Sequence, residues 1–452
     1  MPTFNMYFIM KRKVFNQLVA WKKQKERMPL IVNGARQIGK TFSINEFGEK
    51  EFANTVYINL ETNPDIRQIF EGDISPERLI RLIESSTNQR IIAGETLLFL
   101  DEIQASERAL TSLKYFCEQA PQYHVIAAGS LLGVAINREK YSFPVGKVYE
   151  LYMYPLDFEE FLWAMNREML VDEIKTYFAE LKPMPEILHK QALELYNYYC
   201  IIGGMPAVIK NFRETQSFLT IKDVQGRILN EYIADMSKYA QPATTAKIHG
   251  CYMSIPTQLG KENKKFQYKV VQKGGTATIF GEAIEWLLLA GITLKNQRLE
   301  HGYIPIKAYQ NLSDFKLYMG DTGMLTMHSG LPAQMLLSSI GTDSTFLGGM
   351  AENFVAQQFT AKKIPLFYWK SEDTAEVDFV LQIDTDVVPV EVKKGVRTRS
   401  TSLAMFVKQY KSPYAIRISQ KHFGFENNIK SIPFYALFCL EITENLEKIK
   451  IF

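Results

Sequence analysis

Cysteine is scarce: Cys117, Cys200, Cys251 and Cys439 are the whole complement, far apart among apolar or aromatic neighbours and with no C-x-x-C pair. That distribution excludes a disulfide framework and a zinc knuckle, and it predicts reduced, buried thiols. Histidine is also sparse, six residues with no metal-ligand spacing. A net charge of only +3 gives no bulk attraction to a polyanion, so any such partner must be held by local clusters. Long apolar runs are missing too. The longest, WLLLAGITL at 286–294, falls short of the ~20 residues a membrane span needs. At the start of the chain MYFIM precedes KRK, the reverse of a secretory signal. No repeat or low-complexity tract appears. These absences predict a soluble, cytoplasmic protein with no membrane partner. With 452 residues, 46% of them hydrophobic, there is material for roughly three domains of ~150 residues each.

What is present is more specific. PLIVNGARQIGKTFSINEF (29–47) reads as a buried strand, a glycine-bearing turn and the start of a helix. Gly34, Gly39, Lys40 and Thr41 fit G-x-x-x-x-G-K-[ST]. The glycines let backbone N–H groups close on a phosphate, the lysine reaches the β- and γ-phosphates, and the threonine hydroxyl binds Mg²⁺. The expected nucleotide-binding stretch is therefore Gly34, Ala35, Arg36, Gln37, Ile38, Gly39, Lys40, Thr41 and Phe42. TLLFLDEIQ (96–104) is an apolar strand ending in two acids, as a central parallel strand would be. Asp101 is expected to hold the magnesium with Thr41, and Glu102 to deprotonate the attacking water. Further strands at 56–61, 124–130 and 148–154 alternate with helical stretches and predict an α/β fold with a parallel sheet. Ser130 is a candidate γ-phosphate sensor. Asn59 is a candidate restraint on Glu102; both it and Ser130 are equally readable as turn residues, and Arg138, a candidate arginine finger, reads more readily as a surface arginine.

GARQIGKT, DEIQ and AAGS, followed by SFPVGKVYELYMYPLDFEEFL and YYCIIGGMPAVI, resemble one family. It is the AAA-type ATP-binding proteins of bacteria and archaea that carry a C-terminal domain of unknown function numbered 4143. IPTQLGKENKKFQY, FKLYMGDTGML and the closing region extend the resemblance over nearly the whole chain. It implies an ATPase domain over 1–165, a helical lid with a winged-helix-like module over 166–340, and a restriction-endonuclease-like α/β domain over 341–452.

Two further stretches carry possible chemistry. From about 160 to 240 apolar residues recur at helical spacing, with a break at Gly-Gly-Met-Pro 203–206. GKENKKFQYKVVQK then places Lys261, Lys264, Lys265, Lys269 and Lys273 around Phe266 and Tyr268. Such a run is either a solvated face or a DNA phosphate contact. At 376–395, EVDFVLQIDTDVVPVEVKKG reads as two strands. Alternate residues share a strand face, so Glu391 and Lys393 point together, near Asp378 on the neighbouring strand. With Glu352, expected in the first turn of a helix at 348–359, the order matches an acid followed by (D/E)-x-K. Two carboxylates, Asp378 and Glu391, would hold Mg²⁺ or Mn²⁺, and Lys393 would steady charge at phosphorus. The rival is a cross-strand salt bridge. Residues 393–430 are strongly basic, including Arg397, Arg399 and Arg417.

The expectation is a Mg²⁺-dependent ATPase acting on or at DNA, with a metal-dependent nuclease-like C-terminal domain. Its alternative is a nucleotide-gated interaction protein whose nuclease-fold domain only binds a partner. Expected ligands are ATP, Mg²⁺ and DNA, with a second copy of the chain as a further candidate partner in a homo-oligomer.

Overall fold

A strand that must be buried on both faces reads as an unbroken apolar run, and Leu30–Asn33 (β1) and Thr96–Asp101 (β3) are buried at every position. Together with Asn54–Asn59 (β2), His124–Gly129 (β4) and Tyr149–Tyr152 (β5) they form one sheet in the order β2-β3-β4-β1-β5. Every neighbouring pair is parallel. The computed structural model describes residues 10–136, 143–338, 344–372, 375–394 and 401–442. It divides into two compact units, one running to Tyr154 with Leu289–Gly291, the other taking Pro155–Leu288 and the residues from Ile292 onward.

In the first unit the helices cover the sheet for readable reasons. Pro76–Thr87 starts with proline where the missing N–H costs nothing, buries Leu79, Ile80 and Ile83 on one stripe, and stops at Asn88 in the left-handed region (φ 53°). Glu107–Gln119 starts at Ser106, whose hydroxyl accepts from the Ala109 N–H. Their apolar faces join Ile31, Ile58, Leu100 and Ala127 in one core.

The second unit begins with helices. Asp157 and Glu160 form a capping box at Phe158–Ala164, and Glu186–Ile202 ends at the Gly-Gly break before Pro206–Thr215. Phe218–Tyr239, Pro242–Leu259 and Ala277–Leu289 follow. Thr293–Leu299 (β6) and Gln310–Met319 (β7) pair antiparallel. β6 also pairs in parallel with Phe367–Lys370 (β8), which carries Glu376–Val377 (β9), giving the sheet β7-β6-β8-β9. The expected division at 340/341 therefore does not coincide with a break in hydrogen bonding. A second sheet, β10-β11-β12-β14-β13, is built from Phe379–Ile383 (β10), Asp386–Lys393 (β11), Ala415–Ser419 (β12), Gly424–Glu426 (β13) and Ile429–Pro433 (β14).

Two expectations are corrected here. EVDFVLQI is not one strand: it breaks at Asp378, and its halves join different sheets. The helix carrying Glu352 is Ser344–Ala361, so Glu352 lies in its middle turns rather than its first.

Candidate functional site

The turn after β1 needs two glycines for different reasons. Gly39 has φ 91° at the head of the helix Lys40–Glu51, a conformation costly for any residue with a Cβ. At Gly34 (φ 143°) a Cβ would collide with the Met153 carbonyl oxygen and with Ile38 Cδ1. The loop so shaped leaves Lys40 buried, its ammonium donating to the Gly34 and Ala35 carbonyls at 2.8 Å each. Arg12, also buried, donates to the Ile38 and Tyr154 carbonyls (2.8 and 2.7 Å) and braces the loop. Ala35 and Ile38 are buried, Arg36 is half-buried, and Gln37 and Phe42 are exposed.

The end of β3 meets this loop. Thr41 Oγ1 donates to Asp101 Oδ2 at 2.8 Å. Asp101 Oδ1 accepts from the Glu102 N–H at 3.0 Å, which supports Glu102 in the left-handed region (φ 51°). Burial holds the Asp101 carboxyl above its ordinary range, against the pull of the Thr41 hydrogen bond. Glu102 Oε2 accepts from Gln104 Nε2 (2.5 Å) and from Ser130 Oγ (3.4 Å). A threonine hydroxyl beside a buried carboxylate is the hard-oxygen donor set that suits Mg²⁺.

Two contributors were missed by sequence reasoning. Tyr57 donates to Asp101 Oδ2 at 3.1 Å, so the Asp101 carboxylate is held from β2 as well as from the loop. Only register could have revealed it, since Tyr57 stands two residues before Asn59, the strand partner of Asp101. Asn33, directly before Gly34, donates to Glu150 Oε2 at 2.8 Å and buries its Oδ1 without a partner. Asn59 is corrected: its Oδ1 caps the N–H groups of Glu61 and Thr62 (3.0 and 2.9 Å), a turn role. Arg138 lies outside the described residues.

At the second candidate site the acids are already engaged. Glu352 is buried, with Lys264 3.0 Å from Oε1, and Lys316 (3.1 Å) and the Tyr318 hydroxyl (2.8 Å) on Oε2. Burial alone would raise its carboxyl, but Lys316 and Lys264 outweigh that and hold it well below the usual range. Lys316, itself fully buried, also meets Glu376 at 2.6 Å. Asp378 turns its Oδ2 onto the Val392 N–H at 2.8 Å. Burial, with the nearby Glu352 charge, pushes its carboxyl well above the usual range. Glu391 lies between Lys393 (3.3 Å) and Arg417 Nε (3.5 Å). Among the described residues no group of three or more His, Cys, Asp or Glu side chains could hold a metal ion. Of the expected residues, Glu352 and Glu391 are paired with protein cations, while Asp378 is held by a backbone N–H.

The lysine run is divided. Lys264 is spent on Glu352 and only 14% exposed, which corrects its expected role as a phosphate contact, while Lys265 pairs with Asp314 and keeps its side chain partly in solvent. Lys261 is half-buried, while Lys269 and Lys273 are exposed. Phe266 is buried and stacks on Phe315, so that aromatic belongs to the core. Arg397 and Arg399 lie outside the described residues, and no described helix is long and apolar enough to cross a membrane.

Comparison with known proteins matches three stretches of the chain. Residues 26–162 match an AAA domain, 193–335 a domain of unknown function numbered 8612, and 347–437 the domain of unknown function numbered 4143. No curated protein matches. Among solved structures, a Walker-type ATPase of Pyrococcus abyssi is 14% identical with a TM-score of 0.43, covering 71% of this chain and 96% of that one. The Aeropyrum pernix ORC2 protein, in ADPNP and ADP complexes, is 13% identical with a TM-score of 0.34, covering 74% and 90%. AMPPCP-bound DnaA from Aquifex aeolicus is 11% identical with a TM-score of 0.29, covering 64% and 93%.

Proposed function

We propose that the chain binds ATP with Mg²⁺ at residues 34–42 and hydrolyses it with Glu102 as the base. One observation carries this reading. Side chains from two distant stretches, Lys40–Thr41 and Asp101–Glu102, meet at the carboxyl ends of β1 and β3, with Thr41 Oγ1 2.8 Å from Asp101 Oδ2. Magnesium bound by Thr41 and Asp101 would neutralise charge on the β- and γ-phosphate oxygens. Lys40 would exchange its two carbonyl partners for phosphate oxygens. Glu102 would orient a water and take its proton, with Ser130 and Gln104 fixing its carboxylate. Lys40→Ala should abolish nucleotide binding in a titration. Glu102→Gln should bind normally and hydrolyse about 10²–10⁴-fold more slowly. Equal binding by the Lys40 variant and the unaltered protein sinks the assignment.

A second reading concerns residues 347–437. The ionic partners of Glu352 and Glu391 favour the interaction role over cleavage, with DNA as the partner of Lys261, Lys269 and Lys273. A plasmid assay with Mn²⁺ tests it: metal-dependent nicking that disappears in Asp378→Asn would restore the nuclease reading.

A further inference from the structure

The second unit holds a cavity of about 580 Å³ that neither site above uses. Its floor follows from strand register. Glu391 on β11 pairs with Arg417 on β12, Arg417 with Ser431 on β14, and Ser431 with Gly424 on β13, so these residues form one row on a single sheet face. Arg417, Ser431 and Gly424 line the cavity.

One wall is a rigid pair of imidazoles. His189 has its Nδ1 2.8 Å from the Tyr435 hydroxyl and its Nε2 3.1 Å from the Gln420 carbonyl. His422 stacks on it at 3.7 Å between centroids and reaches Glu186 Oε2 at 3.2 Å. Glu186 is shared with Lys190 at 3.3 Å. At the rim Phe425 is 54% exposed, an open aromatic face beside the turn Asn427–Asn428.

Two cations, Arg417 and Lys421, and two acids, Glu186 and Glu426, line the cavity, and Glu186 is engaged by Lys190 and His422. The Arg417 side chain is only 11% exposed, yet its one ionic partner is Glu391, at 3.5 Å from Nε, and Glu391 also serves Lys393. The terminal guanidinium nitrogens have no partner among the described residues. Neither does the ammonium of Lys421, which also lines the cavity. A half-buried guanidinium whose terminal nitrogens meet no described protein acceptor is open to an anion, and its planar fork matches phosphate oxygens. The cavity is several times larger than a phosphate and falls in the range of small-molecule sites.

We propose that this cavity binds a phosphomonoester of nucleotide size, its phosphate on Arg417 and Lys421 and its ring against Phe425. Because Arg417 also holds Glu391, an occupant would draw directly on the partner of the E-x-K carboxylate.

The test uses the full chain carrying Lys40→Ala, so that the loop at 34–42 does not contribute. Calorimetric titration compares a nucleoside 5′-monophosphate, the matching nucleoside and inorganic phosphate. The monophosphate should bind at least about tenfold more tightly than the nucleoside, and Lys421→Ala and Arg417→Gln should each remove about tenfold or more. Phe425→Ala should weaken the monophosphate and leave inorganic phosphate unchanged. Lys421 is partly exposed, so its variant reports even where Arg417→Gln fails to fold. Equal affinity for nucleoside and monophosphate, or an unchanged affinity in Lys421→Ala, overturns the proposal. Inorganic phosphate binding as tightly as the monophosphate overturns the nucleotide-sized ligand.

Discussion

Two residues that touch a carboxylate make opposite predictions about what the interaction does. Tyr57 donates to Asp101 from outside the nucleotide loop, so Tyr57→Phe removes one hydrogen bond to a charged group while leaving the ring beside Phe99. Nucleotide affinity should fall about fivefold in the presence of Mg²⁺ and stay the same in EDTA. A reduction equal in both conditions would mean that Tyr57 shapes the fold and not the magnesium site. Lys316 is the contrary case. Its ammonium is buried between Glu352 and Glu376, so Lys316→Met takes the buried cation from both acids, leaving Lys264 on Glu352 and Lys370 on Glu376, and should destabilise the second unit by about 3 kcal/mol. Adding Glu352→Gln should recover part of that stability, because the buried site then holds one charge fewer. A metal role for Asp378 and Glu391 requires instead that Asp378→Asn or Glu391→Gln alone abolish stabilisation by Mn²⁺ in a melting experiment.

Single elements show how burial decides which part of a charged stretch is available. In GKENKKFQYKVVQK, Phe266 goes inward and takes Lys264 with it, while Lys269 and Lys273 stay in water. Lys264→Ala should therefore lower the melting temperature, whereas Lys269→Ala with Lys273→Ala should not. If the exposed pair binds DNA, that double variant should flatten the dependence of log K on log[salt], by roughly 0.9 for each phosphate no longer neutralised. An unchanged slope would make those lysines an ordinary solvated face. The helix Pro76–Thr87 is a control of the first unit's core: Leu79→Ala should cost about 2–5 kcal/mol, since Leu79 is wholly buried.

At the scale of the whole molecule, acid stability carries a signature from His124 at the start of β4. Burial, with Arg27 and Lys22 nearby, lowers its imidazole to about 4, and it sits between the rings of Trp21 and Phe52. A folded-state value below the unfolded one, about 6.5, means stability that is complete above about 6.5 and is lost as pH falls toward 4. Melts of the chain from pH 7 to 4.5 should show this decline, and His124→Phe should flatten it. The glycine loop at 34–39, the acidic end of β3 and the parallel strands were legible in the sequence because each depends on local chemistry: a glycine conformation, a lysine beside it, an apolar run closed by acids. Tyr57 and the partners of Glu352 and Glu391 were not legible. They arise from register and from helix-to-sheet packing, which bring Lys316 and Arg417 against acids 36 and 26 positions away in the chain. The sequence by itself determined the order Glu352, Asp378, Glu391, Lys393. Only the tertiary structure decided that lysines and an arginine meet Glu352 and Glu391, because burying a charge requires a partner, and sequence order does not say whether that partner is a metal or a side chain.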